Sequence, residues 1–321
     1  MPKTLAIKEK IKKFNKQIQV SGDKSLSIRW VLLASQAIGK SKGYNLLMSE
    51  DVLAAIDSIK KLGIRVKIQK NYCEIVGNGI NGFKYNKNLT IDAKNSGTLS
   101  RLILGLLIKS PKKIKIIGDK SLSKRDFSRV TEPLEKFGVK FYYKIKNKLP
   151  LTILGTQSAK SIKYFENKGS AQCKSSVMLA ALNASGTTSI KAKKSRDHTE
   201  LLFKYLNIPI KIRKTKKFDF IDIKKPKKIN AFNYQIPGDI SSSAFFMVLT
   251  TLADNSKLLI KSVNINSSRV GVITILKKMG AQIALKNQKN YRGEKISDIS
   301  IKSSKKLKAI NSYKSQALNY F

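Results

Sequence analysis

The chain has 321 residues, of which 64 are Lys or Arg against 20 Asp or Glu, for a formal net charge of +44. With 41% hydrophobic residues in periodic blocks it is too apolar for a disordered polycation, and its length favours two moderate cores over one large one. Its lysines run almost evenly from Lys3 to Lys314 among many Asn and Ile residues, where a dedicated face would cluster Lys and Arg with interleaved aromatics or show a reading motif, so the charge reads as compositional drift and not as a specific nucleic-acid face.

Cys73 and Cys173 lie far apart with no Cys or His at ligand spacing, which argues against a disulfide framework and a zinc site. Met1 to Phe14 alternates lysines with short apolar pairs and is not read as a secretory signal. Leu102 to Ile108, the longest apolar stretch, is too short to span a bilayer. The expectation is a soluble, cytoplasmic protein with no membrane partner.

In chain order, a helix-start string at Ser21 to Arg29 leads into an apolar helix expected over Trp30 to Ile38. A second helix closes at Ile59-Lys-Lys-Leu-Gly63 before a strand over Ile64 to Ile68. Leu99 to Ile108 is the next apolar helix, and Leu134-Glu-Lys-Phe-Gly138 closes another before a strand over Val139 to Tyr143. Ser175 to Leu182 follows, then Leu202 to Leu206 closing at Asn207 before Ile208 to Ile212. Ala244 to Leu252 and Leu276-Lys-Lys-Met-Gly280, running into Ala281 to Leu285, complete the series. Gly or Asn at these stops is the left-handed residue that ends a helix. The recurrence predicts an α/β fold of strand-helix repeats, three between about residues 20 and 232 and a further one from near Tyr234.

Most of these helices begin with small hydroxyl or amide residues: Ser21 to Arg29, Asn95-Ser-Gly-Thr98, Ser170-Ala-Gln172, Ser195-Arg196 and Gly238 to Ser243. A helix start carries unpaired N–H groups and the positive end of the macrodipole, so adding hydroxyls and cations suits phosphate or carboxylate. For any single one taken alone, ordinary N-capping is the favoured reading, because the preference is so general. At the first start, Lys24 and Arg29 sit five residues apart around two serines, which costs repulsion unless an anion joins them. Gly22 allows close backbone approach there. The string is not a P-loop, because Ala34 stands where the first glycine before Gly39-Lys40-Ser41 is required. Gly118 to Arg125 repeats the Gly-Asp-Lys-Ser-Leu-Ser chemistry, and Arg125 could grip an anion by two parallel bonds or belong to a solvated loop.

Taken together these strings resemble EPSP synthase, the 3-phosphoshikimate 1-carboxyvinyltransferase family. Gly22-Asp-Lys-Ser-Leu-Ser-Ile-Arg29 with Asn45 to Asp51 resembles its amino-terminal signature. Asn95 to Thr98 with Arg101, Lys124-Arg125, Ser170 to Gln172, Ser195 to Glu200, Pro237 to Ser242 and Ser268 to Gly271 follow in the family's order. The resemblance implies a two-domain inside-out α/β barrel of strand-helix repeats, helices packed inside and sheets outside. Residues 20–234 then form the complete three-repeat domain on the phosphoshikimate side, and residues 1–19 with 235–321 an incomplete second domain.

The implied reaction transfers the enolpyruvyl group of phosphoenolpyruvate to the 5-hydroxyl of shikimate 3-phosphate, in chorismate and aromatic amino acid biosynthesis. By that resemblance Lys24, Ser25, Arg29, Ser170, Ala171, Gln172 and Ser195 hold shikimate 3-phosphate. Lys24, Asn95, Gly97, Arg125 and Gln172 serve phosphoenolpyruvate, with Lys24 also catalytic. No metal or organic cofactor is implied, and the partners are the two small-molecule substrates of a monomer. The open space at Gly97 goes, in that family, with glyphosate sensitivity. His198, the one histidine, reads as helix-start structure.

The family's aspartate base and its later arginines and lysine have no counterpart after Ile299 to Ser304, and Asn311 to Phe321 does not match it. The expectation is therefore a C-terminally truncated chain, or one completed by a second polypeptide. Two rival readings stay open. UDP-N-acetylglucosamine enolpyruvyl transferase shares the fold but lacks the Asp23-Lys24-Ser25 arrangement. A catalytically impaired relative would only bind anions or nucleic acid, with steep salt dependence and no phosphoshikimate preference.

Overall fold

Glycine and asparagine close the helices where the sequence places them: Gly63, Gly138, Gly280 and Asn207 all have positive φ, at 82°, 99°, 98° and 53°. This computed structural model describes residues 11–70 and 72–310. Expectations for residues 1–10 and 311–321, including the unmatched ending, lie outside the described residues.

The chain opens with β1 (Asn15–Ile18) and α1 (Lys24–Ser35). Then come β2 (Ile38–Tyr44), α2 (Glu50–Lys61), β3 (Arg65–Ile68) and β4 (Tyr72–Asn78). The order repeats with β5 (Leu89–Asp92), α3 (Gly97–Leu106), β6 (Ile114–Ile117), a short α4 (Lys120–Ser123), α5 (Ser128–Glu135), β7 (Lys140–Tyr143) and β8 (Leu151–Leu154). It repeats again with β9 (Lys163–Glu166), α6 (Ala171–Ala181), β10 (Thr187–Lys193), α7 (His198–Tyr205), β11 (Ile210–Lys214) and β12 (Phe218–Lys224). A two-residue β13 (Tyr234–Gln235) precedes α8 (Ile240–Leu252), β14 (Lys257–Asn264), α9 (Gly271–Lys278), β15 (Gln282–Tyr291) and β16 (Glu294–Lys302).

These helices start earlier than their apolar runs suggest. The helix expected over Trp30 to Ile38 begins at Lys24 and ends at Ser35, and Ile38 opens β2 instead. The reason is capping: the Asp23 carboxylate accepts from the Leu26 N–H, and Ser96, Ser170 and Asp239 accept in the same way at the starts of α3, α6 and α8. The Lys24 to Arg29 string therefore forms the first two turns of α1.

All four sheets share one plan. Their orders are β13-β2-β4-β3, β5-β6-β8-β7, β9-β10-β12-β11 and β1-β14-β16-β15. The first two strands in each run parallel, and the second pairs antiparallel with the next. In two of the four the first strand comes from a distant part of the chain, β13 beside β2 and β1 beside β14.

The residues fall into two units. The larger takes Gly22–Pro237 with Arg292–Glu294, and thus holds three repeats. Its inner helices are apolar nearly all round: α1 is buried from Leu26 to Ser35, α3 everywhere but Arg101, and α6 from Cys173 to Ala181. By contrast α2 is amphipathic, with Val52, Ala55, Ile56 and Ile59 inward. Helices thus fill the inside of this unit and sheets form its outside, with alternating burial along β10 and β12. α3 and α6 meet closely at Gly105, where a Cβ would lie 2.1 Å from the Ser176 carbonyl oxygen.

The smaller unit takes the residues up to Ser21, Gly238–Tyr291 and those from Lys295 on. Its core gathers Ile240 and Met247 of α8, Leu258, Ile260 and Val263 of β14, Ile273 and Leu276 of α9, and Ile299 and Ile301 of β16. No helix among the described residues is long and apolar enough to cross a membrane.

Candidate functional site

The polar residues of the larger unit gather where its inner helices start. Arg29, in the second turn of α1, is 4% exposed and makes three bonds. Its Nε donates to Thr199 Oγ1 at 2.8 Å, Nη2 to Ser175 Oγ at 3.0 Å and Nη1 to the Ser25 carbonyl at 3.1 Å. The Ser175 and Thr199 hydroxyls are themselves 2.7 Å apart. One guanidinium therefore joins the N-terminal turns of α1, α6 and α7. Burial pulls the Arg29 pKa down to about 10, Glu200 and Asp23 oppose that shift, and the charge of Arg196 adds to it.

A second junction joins α3 to α6. Arg101 Nη1 donates to Gln172 Oε1 and to the Gly97 carbonyl, both at 3.0 Å, and Gln172 Nε2 donates to Thr98 Oγ1 at 3.1 Å. Arg125 reaches the same corner, with Nη2 3.3 Å from Asn95 Oδ1. A Cβ on Gly97 would lie 2.7 Å from Arg101 Nη1 and 2.9 Å from Arg125 Nη1, so glycine leaves space that two guanidinium groups occupy. Burial lowers the Arg101 pKa, and the like charges of Arg125 and Arg129 act in the same direction. Cations held this close without full neutralisation favour an anionic occupant.

Lys24 sits at the mouth of α1, half-exposed, with Nζ 2.9 Å from Asp51 Oδ2 in the first turn of α2. The close approach at Gly22 has a structural cause, since a Cβ there would fall 1.9 Å from the Asn45 carbonyl oxygen. The Ser195 hydroxyl is buried without a hydrogen-bond partner among the described residues. Ser170 caps α6 and Ala171 opens it. His198 is wholly buried at the start of α7, its Nδ1 2.6 Å from Glu294 Oε1. In the smaller unit, the start of α8 spends its cation internally: Arg269 Nη2 donates to Asp239 Oδ1 at 3.1 Å and to Ser241 Oγ at 2.8 Å.

The candidates from sequence thus divide. Arg29 is tied into one junction, and Asn95, Gly97, Arg125 and Gln172 share the other. Ser175 and Thr199, which aim Arg29, were missed, as was the ion pair of Lys174 and Glu200 at 2.6 Å beneath them. Helical spacing held a signal for Ser175, which lies one turn after Gln172 on the same face. Thr98, Arg101, Thr199 and Glu200 already stood in the matched strings, with no role assigned to them.

The sequence profile of EPSP synthase (3-phosphoshikimate 1-carboxyvinyltransferase) matches residues 8–313. The 3-phosphoshikimate 1-carboxyvinyltransferase of Ruthia magnifica is 41% identical over 288 residues, covering 89% of this chain and 65% of that protein. That of Petrotoga mobilis is 38% identical over 293 residues, covering 90% and 67%. A solved EPSP synthase from Acinetobacter baumannii superposes with a TM-score of 0.84 at 35% identity, over 93% of this chain and 67% of the other. The chain spans about two thirds of the length of the relatives it matches.

Proposed function

The chain belongs to the EPSP synthase family, and we propose that it transfers the enolpyruvyl group of phosphoenolpyruvate to the 5-hydroxyl of shikimate 3-phosphate, yielding EPSP and phosphate. The observation that carries this reading is the convergence of the α1, α3, α6 and α7 starts, laced together by Arg29, Arg101 and Gln172. Both substrates carry phosphate and carboxylate, and such a corner supplies guanidinium forks, hydroxyls and free helix N–H groups to hold them.

In this reading Lys24, Ser25, Arg29, Ser170, Ala171, Gln172 and Ser195 bind shikimate 3-phosphate. The orphaned Ser195 hydroxyl supports its role, because a buried donor without a partner is stabilised by a ligand oxygen. Asn95, Gly97, Arg125 and Gln172 bind phosphoenolpyruvate. Lys24 stabilises charge as the 5-hydroxyl adds to C2, C3 takes a proton and the adduct expels phosphate. The carboxylate base belongs to the share of the family's length that this chain does not span. We read the protein as cytoplasmic, with residues 20–234 as the phosphoshikimate-binding domain of a monomer completed by that share, in the same polypeptide or in another.

Steady-state phosphate release with both substrates, beside calorimetric titration with shikimate 3-phosphate alone, tests the reading. Saturable binding of shikimate 3-phosphate that weakens at least tenfold in Lys24→Ala supports it, with release dependent on the same residue. Absence of any phosphoshikimate binding at moderate salt overturns it.

A further inference from the structure

Along the chain the lysines run evenly and the aromatic residues lie apart, but folding collects several of both on one sheet. β9-β10-β12-β11 of the larger unit packs one face on α6 and α7 and turns the other outward. The strand registers fix which side chains share that outer face. One row across it reads Phe165, Lys191, Phe220 and Arg213, one from each strand, so ring and cation alternate. The row on one side reads Lys163, Ser189, Asp222 and Lys211, and on the other side Lys193 stands opposite Phe218.

Rings and cations are in contact. Lys191 Nζ lies 5.0 Å from the Phe165 ring centroid and 4.7 Å from that of Phe218, and the two rings are 5.8 Å apart. The Arg213 Cζ stands 4.1 Å from the Phe220 ring centroid. Phe165 is 49% exposed, and the six cations of the face, Lys163, Lys191, Lys193, Lys211, Arg213 and Lys224, are all exposed. They share one outward carboxylate, Asp222, whose Oδ1 already accepts the Ser189 hydroxyl at 2.6 Å. Just off the face, Lys194 and Lys214 each have a carboxylate of their own, Asp219 at 2.6 Å and Asp197 at 2.9 Å, whereas none of the six does among the described residues. A groove of about 610 Å³ follows the same rows, between Phe165 and Lys191 on one side and Arg213 and Phe220 on the other. That is room for planar ring systems.

We propose that this face binds single-stranded nucleic acid, with bases stacking on Phe165, Phe218 and Phe220 and phosphates lying along the six cations. Charge complementarity calls for a polyanion, and it excludes a second copy of the chain, which would bring the same six cations to the contact. The rings choose among polyanions. A single strand has base faces free to stack, as on the four-stranded sheets of RNA-binding modules, while a duplex covers its base faces and offers phosphate alone. An acidic peptide brings charge without those planar faces. The substrate corner lies at the starts of the inner helices and this face on the outside of the sheet, so the proposal is independent of the transferase reading.

Fluorescence anisotropy of the full chain with a labelled short oligouridylate, at about 0.15 M salt to suppress general attraction to the polycation, tests it. Expected is saturable binding at least tenfold tighter than that of a duplex or an inorganic polyphosphate of equal charge. With six phosphates neutralised, log affinity should fall against log salt with a slope of up to about −4, and Lys191→Gln with Arg213→Gln should lower that slope by about 1.4. Phe165→Ala with Phe220→Ala leaves the net charge unchanged and should bring the single strand down to the affinity of the duplex. Tyr142→Ala, which removes an exposed ring on another sheet, should change nothing.

Photocrosslinking of the wild-type chain to the same oligomer carrying 5-bromouridine needs no variant to fold. Adducts should map to residues 163–165, 189–193 and 211–224. Equal affinity for single strand, duplex and polyphosphate overturns the proposal, since the chain then acts as a general polycation. So do adducts confined to other residues, or no binding of the oligomer at this salt. Loss of binding to an acidic peptide or to phosphatidylserine vesicles in the Phe165→Ala, Phe220→Ala variant, with the oligomer unaffected, also overturns it and assigns the face to that partner.

Discussion

Arg29 donates through Nε to the hydroxyl of Thr199 at 2.8 Å, fixing the second turn of α1 against the first turn of α7. Ser175 accepts from Nη2 with its hydroxyl 2.7 Å from that of Thr199, so the two hold the guanidinium side by side while the Ser25 carbonyl holds Nη1. A lysine keeps the charge but cannot make this geometry. Arg29→Lys should weaken shikimate 3-phosphate binding by at least tenfold in calorimetry. Thr199→Val should weaken it less and leave phosphoenolpyruvate affinity unchanged.

Lys174 and Glu200 pair at 2.6 Å with side-chain exposures of 0% and 3%. Removing one partner strands the other charge in the core, whereas removing both can be nearly neutral. Glu200→Gln should cost about 3–5 kcal/mol in urea unfolding, with Lys174→Met plus Glu200→Leu recovering most of it.

Two glycines on α3 should respond differently to alanine. At Gly105 the added carbon meets the Ser176 carbonyl at 2.1 Å, and backbone can yield only if α3 and α6 separate, so Gly105→Ala should lose about 2–4 kcal/mol. At Gly97 it meets the mobile ends of Arg101 and Arg125. Gly97→Ala should change the melting temperature little and weaken phosphoenolpyruvate binding several-fold, which equilibrium titration would detect.

Burial pushes the Cys73 thiol from 9.0 up to about 11, with Lys60 opposing. The folded chain keeps this proton over a range in which the unfolded chain releases it. The resulting stabilisation is complete below the unfolded value and is lost as the pH rises through about 11. Between about pH 9 and pH 11 the wild type should therefore lose stability more steeply than Cys73→Ala, in chemical denaturation series at fixed salt.

The elements legible in the sequence are those set by local geometry. Gly63, Gly138, Gly280 and Asn207 end their helices because each adopts positive φ, a property of the residue and its immediate neighbours. The ordered strings from Gly22 to Gly271 were likewise enough to point to the family, since each is contiguous and most are helix starts. What tertiary structure alone decided depends on distant partners. β1 completes the sheet of β14 and β13 that of β2, pairings that no local pattern announces. The partners of Arg29 lie 146 and 170 residues away, and Gln172 finds Arg101 across 71. Capping and anion binding use the same residue types at a helix start, so sequence could not divide them. Only the fold shows where each side chain is held: Asp23, Ser96 and Ser170 accept from their own helix N–H groups, while Arg29, Arg101 and Gln172 reach across to neighbouring helices.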